Sequence, residues 1–294
     1  MTTAPLLVSP PGLLAAMRPR QWVKNLLVVA PLLPAARQLD TDALTGALVA
    51  FVMFCAASSA VYLGNDVCDR EVDREHPVKR NRPIACGLVT PAQALLTAAV
   101  LVVLAAGLAL SRGPQLLLVL LTYLGIQAAY CLRLKHEPVL ELASVTSGFL
   151  LRAVAGGIAA GIVLSDWFLL TAAFGSLYVA AGKRYGEAVM GERTGGRVRP
   201  VVARYSVTYL RFVWTLAATV VVATYAQWAF EVRAETGSGW SVVSCVPFVL
   251  AVLRYGAVVD EGRGQEPESI VLGDRMLLWL GALWCGALLL AVTS

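Results

Sequence analysis

Asp66, Asp69 and Asp73 stand three and four residues apart, with Asn65 beside the first of them and Tyr62 one helical turn ahead. At the α-helical period of about 100° per residue the three carboxylates share one face, and Asn65 joins its edge. Carboxylate and amide oxygens are ligands for a hard cation. Mg2+ takes one or two carboxylates, keeps some water and completes its shell with substrate phosphates. Lys79, Arg80 and Arg82 follow closely, cations suited to phosphate oxygens. The competing reading is a solvated helix end whose acids pair with Arg70, Arg74 and Lys79. The setting favours a site for a divalent metal and a polyphosphate, because so apolar a chain has little physical reason to gather charge at the edge of a hydrophobic stretch unless the charge holds something.

The elements that must position these residues are hydrophobic. Apolar residues make up 58% of the 294 and charged residues 15%, with a mean hydropathy of +0.70. Stretches long enough to cross about 30 Å of hydrocarbon, roughly 20 residues each, recur along the chain. Only helices and closed barrels satisfy the backbone in lipid, and stretches of this length rich in Leu and Ala are helices. The expected fold is an all-α polytopic membrane protein forming a single integral-membrane domain over 1–294. Nine spans are expected, near 22–38, 43–64, 91–110, 115–133, 139–161, 165–182, 207–230, 240–257 and 273–292.

Twenty of the 24 Lys and Arg fall on one side of this arrangement; Arg37, Arg112 and Arg233 fall on the other, and Arg152 lies inside a span. That bias puts the N-terminus in the cytosol and the C-terminus outside, in the plasma (inner) membrane. Two long cytosolic loops, about 65–90 and 183–206, are the expected functional connections. Residues 1–17 lack the basic region and apolar core of a cleavable signal peptide, so no leader is expected. The six cysteines are scattered without a CxxC pair, which gives neither a disulfide nor a zinc framework.

Arg152 lies well inside the fifth expected span, where an ionisable residue is a functional candidate by default. A cavity-facing anion contact is expected of it, against a buried pair with Glu141, eleven residues earlier on the same face, or with another acid across the bundle. Tyr130 and Tyr185 are candidates to donate a hydroxyl to substrate. Trp22, Trp167, Trp228 and Trp240 fall near span ends and read as interfacial anchors. Gly156, Gly157 and Gly161 read as a close helix approach.

Asn65-Asp66-x-x-Asp69-x-x-x-Asp73 at the cytosolic end of the second span resembles the signature of the UbiA superfamily of intramembrane prenyltransferases, and the resemblance covers essentially the whole chain. It implies a helical, cytosol-facing cavity for a Mg2+–diphosphate substrate, with Mg2+ held by Asn65, Asp66, Asp69 and Asp73. Most of the superfamily carries a second Asp-rich motif after the sixth helix. Here that place reads Gly182-Lys183-Arg184-Tyr185-Gly186-Glu187, so cations stand where acids are usual. Such a site needs fewer metals and gives Lys and Arg contacts directly to phosphate.

This departure, with Met17-Arg18-Pro19-Arg20-Gln21-Trp22-Val23-Lys24-Asn25, His76-Pro77-x-Lys79-Arg80-x-Arg82-Pro83, Leu134-Lys135-His136 and Glu266-Pro267-Glu268, is similar to one branch of the superfamily. Members of that branch transfer 5-phosphoribose from phosphoribosyl pyrophosphate (PRPP) to decaprenyl phosphate or a similar polyprenyl phosphate, for cell-wall arabinan such as arabinogalactan. The resemblance implies catalytic roles for Asp66, Asp69 and Asp73. It implies substrate contacts from Lys24, Tyr62, Lys79, Arg80, Arg82, Lys135, Arg152, Lys183, Arg184, Tyr185 and Glu187.

Two rivals stand beside this expectation. An ordinary UbiA-type enzyme would move an allylic prenyl group to an aromatic or other small acceptor, and the cationic stretch at 183–187 argues against it. A transporter or lipid-binding protein would bind near the bilayer midplane through broken helices, whereas the charge here gathers at one rim. The expected partners are PRPP, the polyprenyl phosphate and membrane lipid, with no nucleic acid; self-association is left open.

Overall fold

The computed structural model describes residues 10–36, 39–195, 199–263 and 267–293. Arg37, Glu266 and the first nine residues of the N-terminal segment lie outside the described residues. The order is α1 (Pro10–Met17), a 3-10 stretch (Pro19–Leu32), α2 (Thr41–Cys68), α3 (Arg70–Glu75), α4 (Pro91–Arg112), α5 (Pro114–Leu132) and α6 (Leu140–Ala160). Then come α7 (Asp166–Thr194), α8 (Val207–Thr236), α9 (Trp240–Val243), α10 (Cys245–Val258), α11 (Pro267–Gly273) and α12 (Arg275–Thr293).

Local chemistry starts these helices where they are seen. Asp40 Oδ1 accepts from the Ala43 N–H at 2.7 Å to cap α2. Thr90 and Gln93 form a reciprocal capping box on α4, while Ser165 and Ser206 cap α7 and α8.

Among the described residues, seven stretches are long and apolar enough to cross a membrane: α2, α4, α5, α6, α8, the run Trp240–Gly262 and α12. The other two of the nine expected spans differ in kind. The stretch expected at 22–38 winds as a 14-residue 3-10 helix, long for that geometry. Pro19 starts it and Pro31 interrupts its hydrogen bonding. Its period of three places Trp22, Asn25, Val28 and Pro31 in line, and Asn25, Val28 and Pro31 are buried. The stretch expected at 165–182 is the first part of α7, which runs on for 29 residues and carries Lys183, Arg184, Glu187, Glu192 and Arg193 in its second half.

The expected long loops shrink for the same reason. Residues 183–194 are helical, and α2 continues through Asn65 and Asp66 to Cys68 before α3 resumes. Both functional stretches are therefore held on rigid elements.

Two apolar cores build the bundle. One gathers Val28, Met53, Phe54, Leu116, Leu120 and Tyr123 from the 3-10 stretch, α2 and α5. The other gathers Leu142, Tyr178, Tyr185, Leu210 and Tyr255 from α6, α7, α8 and α10. Gly156 lets the 3-10 stretch lie against α6: a Cβ there would come within 1.9 Å of the Val28 carbonyl oxygen. Of the tryptophans read as interfacial anchors, Trp167 and Trp240 are exposed. Trp228 is instead buried against Tyr225 and Phe168, because its helix face turns inward there. Trp22 donates to Ser59 Oγ at 3.0 Å.

Candidate active site

A cavity of about 790 Å³ opens at the end of the bundle where α2, α5, α6 and α7 converge with the 3-10 stretch. One of its walls is acidic. Asp66 and Asp73 are both about 2% exposed, and Asp69 is half-buried at the joint between α2 and α3. Arg82 bridges the two buried acids, with Nη1 donating to Asp66 Oδ1 at 3.1 Å and to Asp73 Oδ2 at 2.6 Å. Arg18 Nη2 donates to both oxygens of Asp66 at 2.5 and 2.8 Å and its guanidinium lies 4.9 Å from the centre of the Tyr62 ring. Lys135 Nζ donates to Asp69 Oδ1 at 2.6 Å, while Asn65 Nδ2 donates to the other Asp69 oxygen at 3.1 Å.

Arg18 reaches this place from a left-handed backbone conformation, φ 56° and ψ 59°. A non-glycine residue held there costs on the order of 1–2 kcal/mol. The joint between α1 and the 3-10 stretch stores that strain at the rim of the cavity.

Further cations of the lining come from different elements: Lys24 from the 3-10 stretch, Lys79 after α3, Lys183 from α7 and Arg199 after it. Burial pushes the Lys79 ammonium below its usual value, and the neighbouring Arg82 charge adds to that, against the pull of Asp73. Arg184 also lines the cavity but is committed elsewhere. Its Nε donates to both Glu141 oxygens at 2.9 and 3.1 Å and its Nη2 to Glu141 Oε2 at 2.8 Å. Glu141 is fully buried, so this is a desolvated bidentate pair across α6 and α7. Apolar side chains such as Val61, Phe149, Val271 and Leu272 complete the lining.

The sequence profile of the UbiA prenyltransferase family matches residues 26–281. The chain belongs to the UbiA prenyltransferase family. A decaprenyl-phosphate phosphoribosyltransferase of Corynebacterium glutamicum is 47% identical over 96% of this chain and 86% of its own length. One of Mycobacterium tuberculosis is 51% identical over 93% of this chain and 91% of its own length. The fold is also that of a UbiA homolog from Archaeoglobus fulgidus bound to GPP and Mg2+, with a TM-score of 0.73 at 16% identity over 96% of this chain and 100% of that one. With seven membrane-length apolar stretches among the described residues, this UbiA family member is an integral membrane protein.

The structure gathers most of the residues expected from sequence in this UbiA cavity. Lys24, Tyr62, Asn65, Asp69, Asp73, Lys79, Arg82, Lys135, Lys183 and Arg184 line it, and Asp66 lies buried beneath the acidic wall. Others lie apart. Arg80 is exposed outside the cavity. Tyr185 is buried, donating to Asp260 Oδ1 at 2.8 Å and stacking on Trp214. Glu187 faces Arg184 at 3.4 Å and Arg199 at 3.8 Å.

Arg152 is not a lining residue either. Its guanidinium donates to Asn25 Oδ1 at 2.7 Å, the Gly148 carbonyl at 2.6 Å and Tyr123 Oη at 3.3 Å, among the rings of Phe54, Tyr123 and Phe149. It joins α6 to the 3-10 stretch and α5, and Glu141 takes Arg184 instead. Among the described residues, Arg152 does not pair with Glu141.

Arg18, Gln127 and Arg199 are lining residues that sequence reasoning did not select. Arg199 counts in the sequence only as a topogenic charge, and Arg18 as that and as part of a resembling stretch. A usable signal for both is their neighbour: each directly precedes a proline, Pro19 and Pro200, which marks a chain reversal and not a plain charged loop.

Proposed function

We propose that this UbiA family member transfers the 5-phosphoribosyl group from PRPP to decaprenyl phosphate, or a similar polyprenyl phosphate, with release of diphosphate. The observation that carries the reading is the division of one cavity into an acidic wall from α2 and α3 and a cationic lining from Lys24, Lys79, Lys183 and Arg199. A prenyl diphosphate has one anionic end. A doubly phosphorylated sugar and a lipid phosphate together bring three anionic groups, which calls for this excess of cations. The names of the relatives at 47% and 51% identity point the same way. A product of this kind would feed the synthesis of cell-wall arabinan.

Asn65, Asp66, Asp69 and Asp73 fit a divalent metal by the chemistry of their donors, all hard oxygens on one rim. Among the described residues no three acidic, His or Cys side chains converge on a single point. The acids instead hold Arg18, Arg82 and Lys135. Asp66, Asp69 and Asp73 would hold the metal in place of Arg18, Arg82 and Lys135, whose charges would then be available to phosphate oxygens. Mg2+ is the expected ion, and it would neutralise charge on the departing diphosphate.

The protein groups do the rest by position and charge. Lys and Arg side chains hold the donor and acceptor phosphates close together, so their mutual repulsion is offset. The acceptor phosphate is already ionised at neutral pH and attacks C1 of the ribose with its own oxygen, so no side chain has to remove a proton. The apolar lining and the half-buried setting exclude water that would compete for C1. The positive-side bias of Lys and Arg supports a cavity that faces the cytosol, where PRPP would be met.

The deciding assay incubates purified protein with decaprenyl phosphate, Mg2+ and PRPP labelled in the ribose. Label is expected in the organic-extractable lipid, and its absence overturns the assignment. Asp69→Ala is expected to lower the rate at least about a hundredfold, on the order of 3 kcal/mol of lost transition-state stabilisation. A variant as active as wild type would remove Asp69 from the metal set.

A further inference from the structure

The cations around the cavity are not equivalent, and their commitments sort them. Arg18 and Arg82 are held by Asp66 and Asp73, Lys135 by Asp69 and Arg184 by Glu141. Lys79 and Lys183 pair with no carboxylate within 4.0 Å among the described residues. Arg199 is 45% exposed, and its guanidinium stands 3.8 Å from Glu187. Lys79, Lys183 and Arg199 all line the one cavity, and the charge of Arg199 acts on both lysines. Three cations from three separate chain segments thus face one space with little anionic compensation. Left without a ligand, such a cluster repels itself.

Lys79 lines the same cavity as Asp69 and Asp73 of the acidic wall, and their charges act on it as well as that of Arg199. A ligand spanning the two places needs a metal-binding diphosphate at one end and a second anion a short distance away. We propose that Lys79, Lys183 and Arg199 form a metal-free phosphomonoester subsite that takes the 5-phosphate of the sugar donor. The inference rests on the function proposed above and assigns which phosphate these residues meet.

A phosphomonoester carries close to two negative charges at neutral pH. Two lysines and a guanidinium fork match that charge, and the fork adds a bidentate geometry that an ammonium lacks. The subsite also gives selectivity. A donor with a diphosphate and no second phosphate would leave these cations unpaired, so a prenyl diphosphate is penalised where PRPP is not. The lipid acceptor is a phosphomonoester too, and the test separates the two sources.

The experiment uses the full chain in detergent with Arg199→Gln and Arg199→Lys. Calorimetric titration with ribose 5-phosphate reads the subsite without turnover, and steady-state assays read KM for PRPP and for decaprenyl phosphate separately. Arg199→Gln is expected to weaken ribose 5-phosphate and raise KM for PRPP about tenfold or more, as for loss of a charged hydrogen-bonding partner. KM for the lipid stays within about twofold, and Arg199→Lys recovers part of the loss. Equal binding of ribose 5-phosphate to wild type and Arg199→Gln overturns the proposal. So does a rise confined to the lipid KM, which would give the subsite to the acceptor. If ribose 5-phosphate binds and weakens as expected but no label reaches lipid, the subsite stands and the proposed transfer fails.

Discussion

Replacing Glu141 with alanine removes the nearer of the two carboxylates that Arg184 meets among the described residues. The wild-type guanidinium is 5% exposed and makes three contacts of 2.8–3.1 Å to a carboxylate that is 0% exposed. The variant leaves the charge buried with Glu187 at 3.4 Å as its remaining acidic neighbour. Breaking a buried pair from one side costs about 3–5 kcal/mol, and the surviving Glu187 contact puts this case near 3. For a chain of this size that corresponds to a fall in melting temperature of about 5 °C. Thermal unfolding in detergent measures it. Glu141→Gln keeps the shape and two hydrogen-bonding atoms and is expected to fall between, while the double change Glu141→Leu with Arg184→Met removes both charges and is expected to melt near wild type. The pair would then be an architectural link between α6 and α7. A Glu141→Ala protein melting within about 2 °C of wild type would refute this reasoning and return Arg184 to the phosphate-binding set.

Arg152→Met is expected to lower stability by about 2–4 kcal/mol, from lost hydrogen bonds to Asn25, Gly148 and Tyr123. KM for PRPP in the protein that still folds is expected to stay within about twofold; a tenfold rise would mean that Arg152 meets substrate after all. Lys79 gives a pH signature. Only its protonated form attracts phosphate, and burial lowers its pKa from 10.5. PRPP affinity is therefore full below that lowered value and is lost as pH rises through it, earlier than for an exposed lysine. Lys79→Arg is expected to remove this alkaline limb in a titration of PRPP binding between about pH 7 and 10; an unchanged limb would assign it to another group.

The acids were legible because their spacing alone fixes a shared face, and α2 with α3 keeps that phase through the joint at Asp69. Their partners were not. Arg70 and Arg74 are nearest in sequence, yet Asp66 and Asp73 take Arg82 and Asp66 also takes Arg18, 48 residues away. Arg74 turns to Glu71 and the Ala85 carbonyl. Buried carboxylates select whichever cation can lose its water alongside them, and that depends on packing that a local window does not contain. The first expected span falls on a 3-10 helix. Length and apolar content do not separate that winding from an α-helix, and the proline pair was the available discriminator.

Glu141 and Arg152 show which part of a pattern argument carries weight. Eleven residues do return to the same helix face, and both side chains do point inward. At 1.5 Å per residue, however, they sit about 16 Å apart along α6, beyond the reach of an ion pair. Phase chooses the face and rise chooses the layer, so one helix serves two depths: Glu141 meets Arg184 beside the cavity, and Arg152 meets Asn25 three turns away. The same distinction divides Lys183 from Arg184. Adjacent residues on a helix point about 100° apart, so a Lys-Arg pair in the motif is not two equal phosphate ligands. Arg184 turns to α6 and is neutralised there, and Lys183 keeps its charge for the cavity. The cationic replacement of the second acidic motif therefore supplies one uncommitted charge from α7, and Arg199, beyond the end of that helix, restores the second.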